Sequence, residues 1–146
     1  MDLIYRTIIY LHVSSVIASI GPFFIVRPII KKLPLAEEKE LAAYLTTLRS
    51  IVRLSMHAGH VLVGTGILLV ILGPWKWSAP WIVMTLALMF SSLFFLARAF
   101  SPTLKKFGEK GTDKARLSAR LQRTIWIYII LLMSMLWFMV VKPAPW

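Results

Sequence analysis

The sequence predicts an all-α fold: a single integral membrane domain, residues 1–146, built as an antiparallel bundle of four transmembrane helices with both termini outside. Two observations carry this. Apolar residues make up 58% of the chain and the mean hydropathy is +0.75, whereas soluble domains are about 45–50% apolar. The apolar residues fall in four runs, at roughly 5–26, 54–72, 80–97 and 125–141. Each is close to the ~20 residues that cross a ~30 Å hydrocarbon core. A third observation, the sidedness of charge, orients the helices.

Helix 1 is expected over about residues 5–30. It has no basic leader, since Asp2 precedes Arg6, so it reads as a retained helix and not a signal peptide. Pro28 and Pro34 mark its exit. Helix 2 is expected over about 36–72, with Glu37, Glu38 and Glu40 at its start, where the helix dipole favours acids. Gly73-Pro74 ends it, and Ala79-Pro80 opens helix 3, over about 80–100. The short connection predicts that helices 2 and 3 form a tight hairpin. Thr112-Asp113 opens helix 4, over about 112–142.

The net charge of +11 is unevenly placed. Arg27, Lys31, Lys32, Lys39, Arg49 and Arg53 lie between apolar runs one and two. Arg98, Lys105, Lys106, Lys110, Lys114, Arg116, Arg120 and Arg123 lie between runs three and four. The connection between helices 2 and 3 has only Lys76. By the positive-inside rule the basic connections are cytoplasmic, which predicts a multi-pass protein of the bacterial cytoplasmic membrane. The basic residues then meet anionic lipid headgroups. No aromatic-interleaved basic motif points to nucleic acid. Tyr5, Tyr10, Trp75, Trp77, Trp81 and Trp146 fall on the opposite side, as an interfacial belt.

The halves resemble each other. Phe23-Phe24-Ile25-Val26-Arg27 matches Phe94-Phe95-Leu96-Ala97-Arg98, and Lys31-Lys32 matches Lys105-Lys106. This suggests a duplicated hairpin, with convergent interface chemistry as the alternative.

The chemistry-bearing residues are few. With no cysteine, disulfides, thiolate metal sites and covalent haem attachment are excluded. No acid lies in an apolar run, which argues against a carboxylate ion pathway. The only histidines are His12, His57 and His60, and all fall in or beside the first two runs. Imidazole at membrane depth is a functional candidate, because it binds iron, copper and zinc. Arg49, Arg53, His57 and His60 share one helix face, and Gly59, Gly64 and Gly66 leave room for close approach. On helix 1, Ser15, Ser19, Ala18 and Gly21 surround the His12 face.

The leading expectation is therefore a b-type haem between helices 1 and 2. His12 and His60 would be its axial ligands, His57 an alternate, and Arg53 and Arg49 would pair with the propionates. The role would be electron transfer or haem and porphyrin handling, with a quinone or another redox partner. At ~1.5 Å per residue, His12 sits on the order of 10 Å from His60 in depth, so the pair requires helix 2 to sit high or tilt. A second expectation is an accessory subunit of a membrane complex, or a homo-oligomer, in which histidines are structural. A third is copper handling, through Met56, Met84, Met89, Met133, Met135 and Met139 with imidazole. Methionine is also ordinary apolar filler.

The first-helix segment YLHVSSVIASIGPFF, in which a Leu-His pair precedes small residues and Gly-Pro, resembles uncharacterised four-helix bacterial membrane proteins. More loosely it resembles the copper-resistance D-like and HemJ-like protoporphyrinogen oxidase group. The resemblance covers the whole chain in architecture, but in residues mainly helix 1 and the start of helix 2. It implies a haem or porphyrin site in which His12 takes the place of the group's first-helix histidine. HemJ-like proteins also carry an important lysine in a later helix, and helices 3 and 4 here have none within their spans. Only His12 carries over.

Overall fold

The structure, a computed structural model, describes residues 2–143; Trp146, assigned to the aromatic belt, lies outside them. The elements are α1 (Asp2–Lys32), a 3-10 turn (Leu33–Leu35), α2 (Glu38–Leu72), α3 (Pro80–Phe95), a π turn (Leu96–Phe100), α4 (Ser101–Lys106) and α5 (Lys114–Val141). Among the described residues there is no strand. Four helical stretches, Asp2–Leu35, Glu38–Leu72, Pro80–Lys106 and Lys114–Val141, are long and apolar enough to cross a membrane.

Most boundaries follow from local chemistry. The Asp113 carboxylate accepts from the backbone N–H groups of Ala115 (3.1 Å) and Arg116 (3.3 Å) and so caps α5. α2 ends at Gly73, which Pro74 holds in an extended conformation (φ −97°, ψ 174°), and there is no room there for a side chain. A Cβ there would lie 2.6 Å from the Leu69 carbonyl and 2.9 Å from the Tyr5 hydroxyl. Pro80 takes the first position of α3, where its missing N–H costs nothing.

Two boundaries differ from expectation. α1 does not leave at Pro28; it carries Pro22 and Pro28 inside and runs on to Lys32. Phe23, Val26 and Ile30 are fully buried around these prolines and hold the rod against its neighbours. Pro34 has no N–H to offer the Ile30 carbonyl, and the Ser118 hydroxyl of α5 donates to it instead, at 2.9 Å. Helix 3 likewise continues past residue 100 through the π turn into α4. Pro102 would crowd the Arg98 carbonyl in an α-helix, and the wider turn relieves this.

The packing corrects one reading of the topology. Helices 2 and 3 are not a tight pair. The most extensive packing is between α1 and α2, then α3 and α5, then α1 and α5. Small residues explain the first contact: Ser15, Ser19, Ser55, Ala58 and Thr65 are buried along the α1–α2 seam. Ser55 donates to the Ser19 carbonyl at 2.8 Å. Partners on α2 fall in number as those on α1 rise, from Tyr5 beside Gly73 to His12 with Thr65 and Ser19 with Ser55.

The end of the bundle rich in Lys and Arg is densely packed. Phe23 meets Phe100 edge-on at 6.0 Å and Tyr128 at 4.7 Å between ring centroids. At the tryptophan end the helices part around a cavity. The residues matched between the halves sit in unlike surroundings, since Phe23 is fully buried and Phe94 is 61% exposed.

Candidate functional site: a tryptophan-end cavity with one histidine

The cavity measures about 310 Å³, at the low end of the ~300–1,000 Å³ range of small-molecule sites. α1 contributes Tyr5, Ile9 and His12 to its lining, and α2 contributes a wall that includes Leu62, Val63 and Gly66. α3 contributes Thr85, Leu86 and Met89, while Trp75, Trp77 and Trp81 line the loop end. Met139 and Lys142 complete the lining from the end of the chain's last helix. Trp75 and Trp81 pack edge-to-face at 5.3 Å. The Lys142 ammonium lies 4.2 Å from the Trp75 ring centroid and 5.4 Å from that of Trp81. Lys142 reaches there from a left-handed backbone conformation (φ 49°) that ends α5.

His12 is fixed by α2. Its Nδ1 lies 2.9 Å from the Thr65 hydroxyl oxygen. That hydroxyl has one proton, and it donates to the Val61 carbonyl at 2.7 Å. With that proton on the Val61 carbonyl, Thr65 accepts from His12, which is the tautomer with the imidazole proton on Nδ1 and a lone pair on Nε2. This is the arrangement in which a partner at one ring nitrogen readies the other to accept a hydrogen bond or ligate a metal. Gly66 matters because a Cβ there would lie 3.3 Å from His12 Cε1. The Ser15 hydroxyl donates to the His12 carbonyl at 2.7 Å and braces the same turn.

Thr85 is the second notable group. Its hydroxyl oxygen is buried with no hydrogen-bond partner, and the residue is 8% exposed. The other helical threonines, Thr7, Thr46, Thr47, Thr65, Thr103 and Thr124, all donate to the carbonyl four residues back. A buried hydroxyl without a partner costs about 1–3 kcal/mol.

The five residues expected to build one site are not brought together. His12 lines the cavity; His57, His60, Arg49 and Arg53 are exposed on α2. They do share a face, but it is the outward one. The inward seam is taken by Leu48, Val52, Ser55, Ala58, Leu62 and Thr65. The His57 and His60 rings are 6.4 Å apart. His60 is five residues from Thr65, about 7–8 Å along the axis, and Arg53 is about 18 Å away. His12 thus faces a threonine and a glycine. Among the described residues there is no group of three or more His, Cys, Asp or Glu side chains placed to hold a metal. The soft donors that share the cavity with His12 are the thioethers of Met89 and Met139.

The sequence reading missed Thr65 and Thr85. For Thr65 a signal existed: a hydroxyl on the small-residue face of α2 is the natural partner for a histidine on the facing helix. For Thr85 none existed, because its distinction is the absence of a bond that other threonines make.

Compared with known proteins, the chain matches no protein-family model, no curated protein and no solved structure.

Proposed function

We propose that this chain is an antiparallel four-helix protein of the bacterial cytoplasmic membrane that binds a small, largely apolar, membrane-soluble ligand at the tryptophan end. The basic connections are cytoplasmic, and the tryptophan end and both termini face outward. The observation that carries the binding reading is the His12 imidazole, which lines an otherwise mostly apolar cavity with its Nδ1 against the Thr65 hydroxyl. His12 accepts a hydrogen bond from the ligand, and the tryptophans and aliphatic walls bury its body.

The same imidazole favours a second reading, a b-type haem with His12 as its single histidine ligand. Lys142 is the cation at hand for a propionate, and bound haem would supply one-electron redox chemistry. A bis-histidine haem finds no support in the positions of His12, His57 and His60.

One preparation tests both. Protein purified in mild detergent from haem-sufficient cells is extracted with organic solvent and analysed by mass spectrometry, with its absorption spectrum and metal content recorded. An apolar compound is expected in roughly stoichiometric amount, lost in His12→Leu. Identical extracts from both proteins would sink the binding reading. A Soret band with sharp reduced α and β bands, absent in His12→Leu, supports haem, and no such bands in wild type ends it. Copper in the metal analysis would point to the His12, Met89 and Met139 donors.

Topology is tested separately. The chain has no cysteine, so single cysteines report cleanly. Lys76→Cys is expected to react with an impermeant thiol reagent on intact cells, and Lys110→Cys only after lysis. The reverse pattern would invert the orientation.

A further inference from the structure

We infer that the groove between α1 and α5, at the end of the bundle rich in Lys and Arg, is a binding site for one anionic phospholipid of the phosphatidylglycerol type. Arg27 pairs with the lipid phosphate, and the groove takes part of one acyl chain. This site is separate from the His12 cavity at the other end. Only the leaflet in which it lies rests on the orientation proposed above.

The groove measures about 120 Å³. Its floor is Phe23, Ile30, Ile125 and Ile129, all buried, and its rims are Phe24 and Trp126, 56% and 46% exposed. The polar side chains in its lining are Arg27 and Gln122. The Arg27 guanidinium carbon lies 5.3 Å from the Trp126 ring centroid, which holds the cation beside the groove. Among the described residues the one ion pair is Arg6 with Asp2. No carboxylate there competes for the guanidinium N–H donors, whose fork matches a phosphate.

The order of residues along the groove matches a phospholipid. The Ser118 hydroxyl at the Ile30 carbonyl, and Phe23 beside Tyr128, set the register of α1 against α5. Arg27 is therefore level with Gln122, while Phe23, Phe24 and Ile129 lie deeper from that end. The groove is polar towards the basic end and apolar towards the bilayer centre, as a lipid headgroup and its chain require. No lining residue is acidic, so the ammonium of a zwitterionic headgroup finds no partner there. Arg98, at the matching place in the other half, makes the contrast. It lies 4.9 Å from the ring of Phe94, one turn back on its own helical rod, and lines neither this groove nor the cavity.

The test offers the full chain, in detergent micelles, equimolar phosphatidylglycerol and phosphatidylcholine with matched acyl chains. Bound lipid is counted by native mass spectrometry. Wild type is expected to hold one phosphatidylglycerol at least about fivefold more tightly than phosphatidylcholine, the worth of one arginine near an anionic headgroup. Arg27 is exposed, so Arg27→Gln leaves the packed core untouched. It is expected to abolish the preference, and Arg98→Gln to keep it. Equal affinity of wild type for the two lipids overturns the inference, as does wild-type preference in Arg27→Gln. An equal loss in Arg98→Gln also overturns it, because the preference would then belong to interfacial charge in general and not to this groove.

Discussion

Gly66→Leu is expected to reduce ligand affinity at the His12 cavity by at least about tenfold while leaving the bundle as stable as wild type, or slightly more so. The steric argument is direct. A Cβ at this position meets His12 Cε1 at 3.3 Å and Nδ1 at 3.8 Å. The imidazole must give by a few tenths of an ångström, and the remaining leucine atoms enter the cavity that Gly66 lines. Leucine is a better helix former than glycine by roughly 0.8 kcal/mol, so the backbone gains where the site loses. Gly66→Ala separates the two effects. It crowds His12 without filling the cavity and should cost much less affinity. Tryptophan-quenching titrations give the affinities, and reversible unfolding in mixed micelles gives the stability. Wild-type affinity in Gly66→Leu would mean that ligand is not bound beside His12.

Phe23→Ala is expected to destabilise the fold by about 3–5 kcal/mol. Phe23 is fully buried where α1 meets the rod of helix 3 and α5, in contact with Phe100 and Tyr128. Lipid chains are as apolar as the phenyl ring, so the loss comes from packing and the cavity left behind. The low end of the range is therefore the better guide. Phe94→Ala, at the matching position of the other half, removes a ring that is 61% exposed and should change stability by under about 0.5 kcal/mol. Similar losses at both positions in mixed-micelle unfolding would contradict this account of the core. The pair also shows what the sequence likeness between the halves does not imply. The two segments share residue types, but only one of them is inside.

The sequence was sufficient for everything set by local chemistry. Hydropathy averaged over ~20 residues finds the four helices, because each must individually satisfy its backbone in an apolar medium. Asp113, Gly73 and Pro80 mark helix ends through hydrogen bonds and steric limits that reach only a few residues. Helical periodicity also placed Arg49, Arg53, His57 and His60 on one face. Which way that face turns is not a local property. The close approach of Ser19 to Ser55 and of His12 to Thr65 fixes the rotation of α2 about its axis and turns those four residues outward. The same packing leaves α2 and α3 apart, although only seven residues, 73–79, join them. A short connection limits how far two helix ends can separate, but not how closely their lengths pack. In sequence the three histidines differed in depth along their helices and in the first-helix resemblance, but nothing there gave any of them a partner. Tertiary structure distinguished them further, because a threonine hydroxyl on a facing helix meets the His12 ring at 2.9 Å, while His57 and His60 are exposed. It likewise distinguished Thr85 from its fellow threonines, since a hydroxyl's missing partner is visible only once every neighbour has been placed.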